Sequence, residues 1–158
     1  MNVIRNVALI IALFLASCNN NSEGYNDSTF RQKLLDLTSQ YNKVWETLNV
    51  EKIAEYHSNE RFIYYWHGDL ASESNDHFRK LFPEILSATK AWSMKTSNPL
   101  VQIINKDAGV ISFTFEAEVT GLDGAKMNEI GALTYVWNNI NGQWKIVHIH
   151  ESPKVEIK

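Results

Sequence analysis

A single cysteine in 158 residues leaves the chain no internal disulfide and no thiolate metal cluster, so its stability has to come from a packed core. There is no basic stripe, and 15 Lys and Arg stand against 18 Asp and Glu, which argues against nucleic acid as a partner. No glycine-rich phosphate loop and no paired-cysteine motif occurs, which removes the most legible nucleotide, zinc and redox classes. No cofactor and no metal are expected. Beyond the first eighteen residues no stretch is long and apolar enough to cross a bilayer, and there is no internal repeat or low-complexity segment.

The first eighteen residues are of a different kind. Arg5 gives a basic start, Val7 to Leu15 form a short apolar run, and Leu15-Ala16-Ser17-Cys18 resembles the lipobox of bacterial lipoproteins. An ordinary secretory signal or an uncleaved anchor would also explain the apolar run, but not why the only cysteine falls at the lipobox position. The expectation is a signal peptide over 1–17, a mature chain starting at lipid-bearing Cys18, a polar tether over 18–27, one domain over 28–153 and a tail over 154–158. The membrane is then a partner through the lipid on Cys18. The location is the bacterial cell envelope, and Asn19, which is not the aspartate associated with inner-membrane retention, favours the outer membrane. Without Arg5 the basic residues fall from 15 to 14 against 18 acidic ones, a net charge of −4, and the remaining length suits one domain.

From Phe30 apolar residues recur through Leu34, Leu37, Tyr41, Val44, Trp45 and Leu48 with a period near 3.6, behind caps at Asp27 and Ser28. Asn49 caps a short helix over Val50 to Tyr56, and Arg61 to Trp66 is strand-like. A third helix starts near Ser74 with Phe78, Leu81, Phe82, Ile85 and Leu86 on one face, and Pro83 should kink or split it. After Lys90 the period becomes two, with punctuation at Asn98-Pro99, Lys106 to Gly109, Gly121 to Gly124 and the hairpin signal Asn141-Gly142. Four or five antiparallel strands follow, so the fold class is α+β, with helices on one sheet face.

The closing run Trp144-Lys145-Ile146-Val147-His148-Ile149-His150-Glu151-Ser152 resembles the last strand of SnoaL-like proteins of the nuclear transport factor 2-like superfamily. In its C-terminal half the chain looks closest to the association (hub) domain of calcium/calmodulin-dependent protein kinases. There a Trp-x-x-Val-His-aromatic-His-x-Ser run closes the fold, and Ile149 here replaces the aromatic. The resemblance implies a cone-shaped fold, three N-terminal helices over a strongly bent antiparallel sheet, with an internal pocket and dimerisation through the outer sheet face. Where the hub pocket carries arginines that bind carboxylates, this chain has Phe115, Met127 and Glu151, so that function does not carry over.

Independently of the resemblance, alternation points Phe113, Phe115, Ala117 and Val119 inward. The same parity points Leu133, Tyr135 and Trp137, and then Val147, Ile149 and Glu151, inward, leaving His148 and His150 outside. The expected ligand-binding lining is Tyr64, Trp66, Trp92, Phe115, Met127, Tyr135 and Glu151, suited to a neutral, flat or apolar ligand with a polar end. Two functions remain open. One is a binding or assembly module for a small molecule or partner protein. The other is an isomerase, cyclase or hydratase using Glu151 as base, His77, which the resemblance aligns approximately with a histidine near the hub domain's pocket, as proton shuttle, and Tyr135 as oxyanion donor. His148 and His150 with Glu116 or Glu118 would be the alternative reading as a metal set, while His57 and His67 have no partner legible in sequence.

Overall fold

The structure, a computed structural model, describes residues 27–154. The expected signal segment, Cys18, the tether up to Asn26 and the tail from Val155 lie outside the described residues. Helix α1 (Asp27–Trp45) buries Phe30, Leu34, Thr38 and Tyr41, the spacing of one helical face. Leu48 at a φ of 51° turns the chain, and the Asn49 side chain accepts from the Lys52 amide to cap α2 (Val50–Ala54).

Two strands follow where one was expected. β1 (Ile63–Trp66) and β2 (Asp69–Ser72) form a hairpin across His67 and Gly68, both at positive φ (56° and 88°), the geometry whose twist matches paired strands. Ser74 then caps α3 (Asn75–Ser87) by accepting from the His77 amide. Pro83 does not split this helix. It removes one hydrogen bond, while Phe78, Phe82 and Leu86 are buried on both sides of it, each side chain contributing roughly 1.5–3 kcal/mol.

The remaining strands are β3 (Thr89–Asn105), β4 (Ala108–Gly121), β5 (Lys126–Ile140) and β6 (Gln143–Pro153), in the sheet order β2-β1-β6-β5-β4-β3. The sheet is antiparallel from β3 to β6, but β1 lies parallel to β6, with Trp66 opposite Glu151. Asn98-Pro99 is not a break. It is an irregularity inside β3, with Asn98 at a φ of 54°, and Pro99 is tolerated because β3 is an edge strand. Asn141-Gly142 forms the expected hairpin.

Along β4 and β5 the buried positions are the odd ones, including Phe113, Phe115, Leu133, Tyr135 and Trp137. On β6 the inward set needs one correction. A register shift opposite Val136/Trp137 changes the parity, so Ile146 is buried and Val147 is not, before Ile149 and Glu151 resume the inward face.

One polar network lies inside this core. The Asn75 amide nitrogen donates to the Ala54 carbonyl and to Asn59 Oδ1, which leaves its oxygen to accept from His57 Nδ1 at 3.2 Å. His57 Nε2 then accepts from the Tyr41 hydroxyl at 2.8 Å. Burial pushes the imidazole down to about 3, so it stays neutral in this tautomer. The network ties α1 to α3. Among the described residues no helix is long and apolar enough to cross a membrane.

Candidate functional site

The concave sheet face and helices α1 and α3 enclose a cavity of about 250 Å³. Bending the sheet brings together residues from every strand but β2. Tyr64 and Trp66 come from β1, Trp92 from β3, Phe115 from β4, Met127 and Tyr135 from β5, and Glu151 from β6. These are the seven residues that the sequence gathers into a lining. Trp45 and Trp92 meet at 5.8 Å between ring centroids, and Tyr64 stacks on Phe82 at 5.7 Å. Among the described residues no lysine or arginine lines the cavity. An anion entering it would lose its hydration without gaining a counter-charge.

Glu151 is the polar centre. It is 8% exposed, and the Tyr64 hydroxyl donates to its Oε2 at 2.7 Å. Burial raises its carboxyl, the Tyr64 hydrogen bond opposes that, and the negative charge of Glu129 adds to it, leaving the group at about 7. Tyr64 is itself held well above its ordinary value, first by burial and then by the Glu151 charge, so it remains a donor. Glu151 is therefore half ionised near neutrality, the state a general base or acid requires.

Two residues complete this centre that the sequence reading missed. Glu129 lines the cavity with a carboxyl oxygen within 4.8 Å of Glu151, and His67 Nε2 lies 2.6 Å from Glu129 Oε1. The signal for Glu129 was present, since it continues the odd parity of Leu133 and Tyr135 toward the start of β5. His67 carried no such signal. It sits in the β1–β2 turn and reaches Glu129 only because β1 pairs with β6.

Two expected roles are displaced. His77 does not line the cavity; it is exposed at the start of α3, with Nδ1 at 3.5 Å from Ser72 Oγ. Helix α3 turns Phe82, Ile85 and Leu86 toward the cavity instead, so the imidazole near Glu151 is that of His67. Tyr135 contributes its ring to the wall, but its hydroxyl donates to Asn42 Oδ1 at 3.0 Å. The phenol at the carboxylate is Tyr64.

His148 and His150 stand on the outer face beside Tyr65, at 5.9 and 6.1 Å between centroids, and gather no carboxylate ligand set among the described residues. Among the described residues, the one group that a divalent cation would find lies at the cavity instead: His67, Glu129 and Glu151, whose ligand atoms lie within 4.8 Å of one another.

The SnoaL-like domain family matches residues 34–156. The chain belongs to this family. A comparison with curated protein sequences yields no match. Among solved structures, this SnoaL-like chain is similar to a nuclear transport factor 2-like superfamily protein from Salmonella enterica, with 18% identity, 83% of this chain and 95% of that one covered, and a TM-score of 0.72. It is also similar to the association domain of the calcium/calmodulin-dependent kinase II of C. elegans, with 18% identity, coverage of 82% and 99%, and a TM-score of 0.64. A hexachlorocyclohexane dehydrochlorinase shares 12% identity, with coverage of 82% and 91% and a TM-score of 0.66. These likenesses establish the nuclear transport factor 2-like cone, and with it the α+β class.

Proposed function

We propose that this SnoaL-like protein is a lipid-anchored protein of the bacterial envelope that takes a small neutral molecule with a flat or apolar body into its cavity and moves a proton on it. The observation that carries this reading is a carboxyl at about 7 inside an otherwise apolar cavity, with a phenol fixed at 2.7 Å. Glu151 as carboxylate removes a proton from an acidic carbon, Tyr64 orients it, and Glu129 with His67 leads from it toward solvent. Isomerisation, elimination and hydration share this first step. The dehydrochlorinase among the similar structures carries the name of an elimination enzyme, but at 12% identity only the fold is common, and the chemistry is argued from Glu151.

A base-catalysed ring opening of 5-nitrobenzisoxazole tests this directly, because the probe is neutral and flat and needs only proton removal from carbon. Glu151 takes that proton, the N–O bond breaks and a cyanophenolate leaves. The rate should rise with pH through a midpoint near 7, and Glu151→Gln should lower it by about 100-fold. Saturable binding of the probe without turnover would favour the second reading, a binding module, for which the mainly apolar lining speaks. Anchoring rests on Leu15-Ala16-Ser17-Cys18, and Cys18→Ala should abolish labelling by palmitate analogues. The outer face with Tyr65, His148 and His150 is the surface for a homodimer, and sedimentation of a monomer at tens of micromolar, on the order expected for weak interfaces, would remove that part.

A further inference from the structure

Beside the cavity lies a groove of about 750 Å³ between α1 and strands β3 and β4, floored by Ile111 and Phe113 and walled by Val44 and Met94. Met94 lines the cavity as well. It is partly buried against the core and carries the most adaptable side chain in the wall, an unbranched thioether that fills or vacates space at little cost. The rest of the partition is the edge-to-face pair Phe113 and Tyr135, 5.2 Å between centroids, and the Tyr135–Asn42 hydrogen bond. Asn42 itself borders the groove.

The placement of Met94 matters because of where the polar centre sits. Met94 on β3 pairs with Ala117 on β4, which pairs with Glu129 on β5, and Glu151 lies one strand further on β6. Two strand spacings separate Met94 from Glu129, roughly 10 Å at ~4.8 Å each, and the Glu151 carboxyl, whose residue pairs with Leu133, lies within 4.8 Å of that of Glu129. The long axis of the cavity thus runs from a hydrogen-bonding end at Glu151 and Tyr64 to an apolar end at Met94, and the groove continues that axis.

We propose that cavity and groove form one binding site divided by Met94, and that its ligand is an amphipathic molecule with a neutral hydrogen-bonding head at Glu151 and an unbranched alkyl tail that passes Met94 into the groove. The occupant of the groove is the tail of the same molecule. Its outer rim, with the Lys43–Glu46 ion pair, is polar and exposed, so only the floor near Met94 suits an alkyl chain. This deepens the functional reading above and rests on the cavity being the binding site.

Calorimetric titration with 4-alkylphenols, from ethyl through butyl and hexyl to octyl, tests it. The phenol donates to Glu151 and the tail length is the only variable. In the wild type the affinity should climb about fourfold per methylene through the whole series, because each added methylene leaves water. Met94→Trp closes the partition, and Val44→Trp fills the groove from α1. Val44→Trp, which lies outside the cavity, should bind 4-ethylphenol as the wild type does and gain nothing beyond butyl, and Met94→Trp should lose the same climb. Met94→Ala should keep the full climb. A wild-type plateau before octyl, or the full climb kept in either tryptophan variant, overturns the divided site and leaves the cavity reading standing. Failure of 4-ethylphenol itself to bind the wild type overturns both.

Discussion

Replacing Glu151 by glutamine removes a buried charge, and the pH dependence of the resulting stability change follows from its raised carboxyl. The folded protein holds the proton up to about 7, the unfolded chain only to the ordinary 4.5. Between those values the folded state binds more protons, so the wild type loses stability as pH rises through this window, keeps the full loss above it and has none below it. At 1.36 kcal/mol per unit the loss amounts to about 3 kcal/mol. Glutamine titrates nowhere and still offers an oxygen to Tyr64. Glu151→Gln should therefore match the wild type near about pH 4 and exceed it near about pH 8 by about 3 kcal/mol, on the order of 10 °C in melting temperature. Other titrating groups, His57 among them, cancel in the comparison. Circular-dichroism melts of both proteins across this range measure the gap. A gap that does not change with pH, or a variant less stable than wild type at the alkaline end, would refute the assignment of Glu151 as a desolvated base.

Acid acts on the fold through a different group. His57, held neutral down to about 3, contributes stability above the unfolded value of 6.5 that is lost as pH falls toward 3, and His57→Gln should flatten that loss in urea unfolding while costing about 2 kcal/mol at neutral pH by leaving Tyr41 or Asn75 unpaired. Glu129→Gln takes a negative charge away from Glu151, so the midpoint of the 5-nitrobenzisoxazole rate profile should move to lower pH, and a midpoint that stays in place would separate Glu129 from the base.

What the sequence made legible was whatever depends on near neighbours. The 3.6 period from Phe30 to Tyr41, the caps at Asn49 and Ser74 and the alternation along β4 and β5 each follow from local geometry, and the alternation alone assigns Phe115, Tyr135 and Glu151 to the concave face. The errors lie where distant segments decide. The β1–β2 hairpin turns on His67-Gly68, where histidine adopts a conformation that more often belongs to asparagine or glycine. The parity of Val147 failed because an irregularity between β5 and β6 is not encoded in either strand's pattern. His67 was unreadable as part of the site because its contact with Glu129 needs the parallel pairing of β1 with β6, two strands from opposite ends of the domain. His77 was misplaced because a resemblance in register carries the helix, while the face each helical residue presents depends on how α3 rotates against the sheet.

The cost of Glu151 to the fold bears on why it is there. A leucine at this point of β6 would bury apolar area among Leu133, Ile149 and Tyr64 and contribute stability at every pH. The carboxylate instead withdraws about 3 kcal/mol at neutral pH, a sizeable part of the 5–15 kcal/mol by which domains are stable. Packing does not ask for it, and neither does a structural ion pair, since among the described residues no lysine or arginine lines the cavity and the adjacent charge is another carboxylate. A buried carboxyl beside a half-buried one, reaching solvent through one histidine, opposes folding and favours proton exchange between a cavity and water. That combination is the physical ground for proposing proton transfer in this cone, and it makes the stability gap of Glu151→Gln and the pH profile of 5-nitrobenzisoxazole two views of one property: the pH above which the first stops widening should be the pH at which the second has its midpoint.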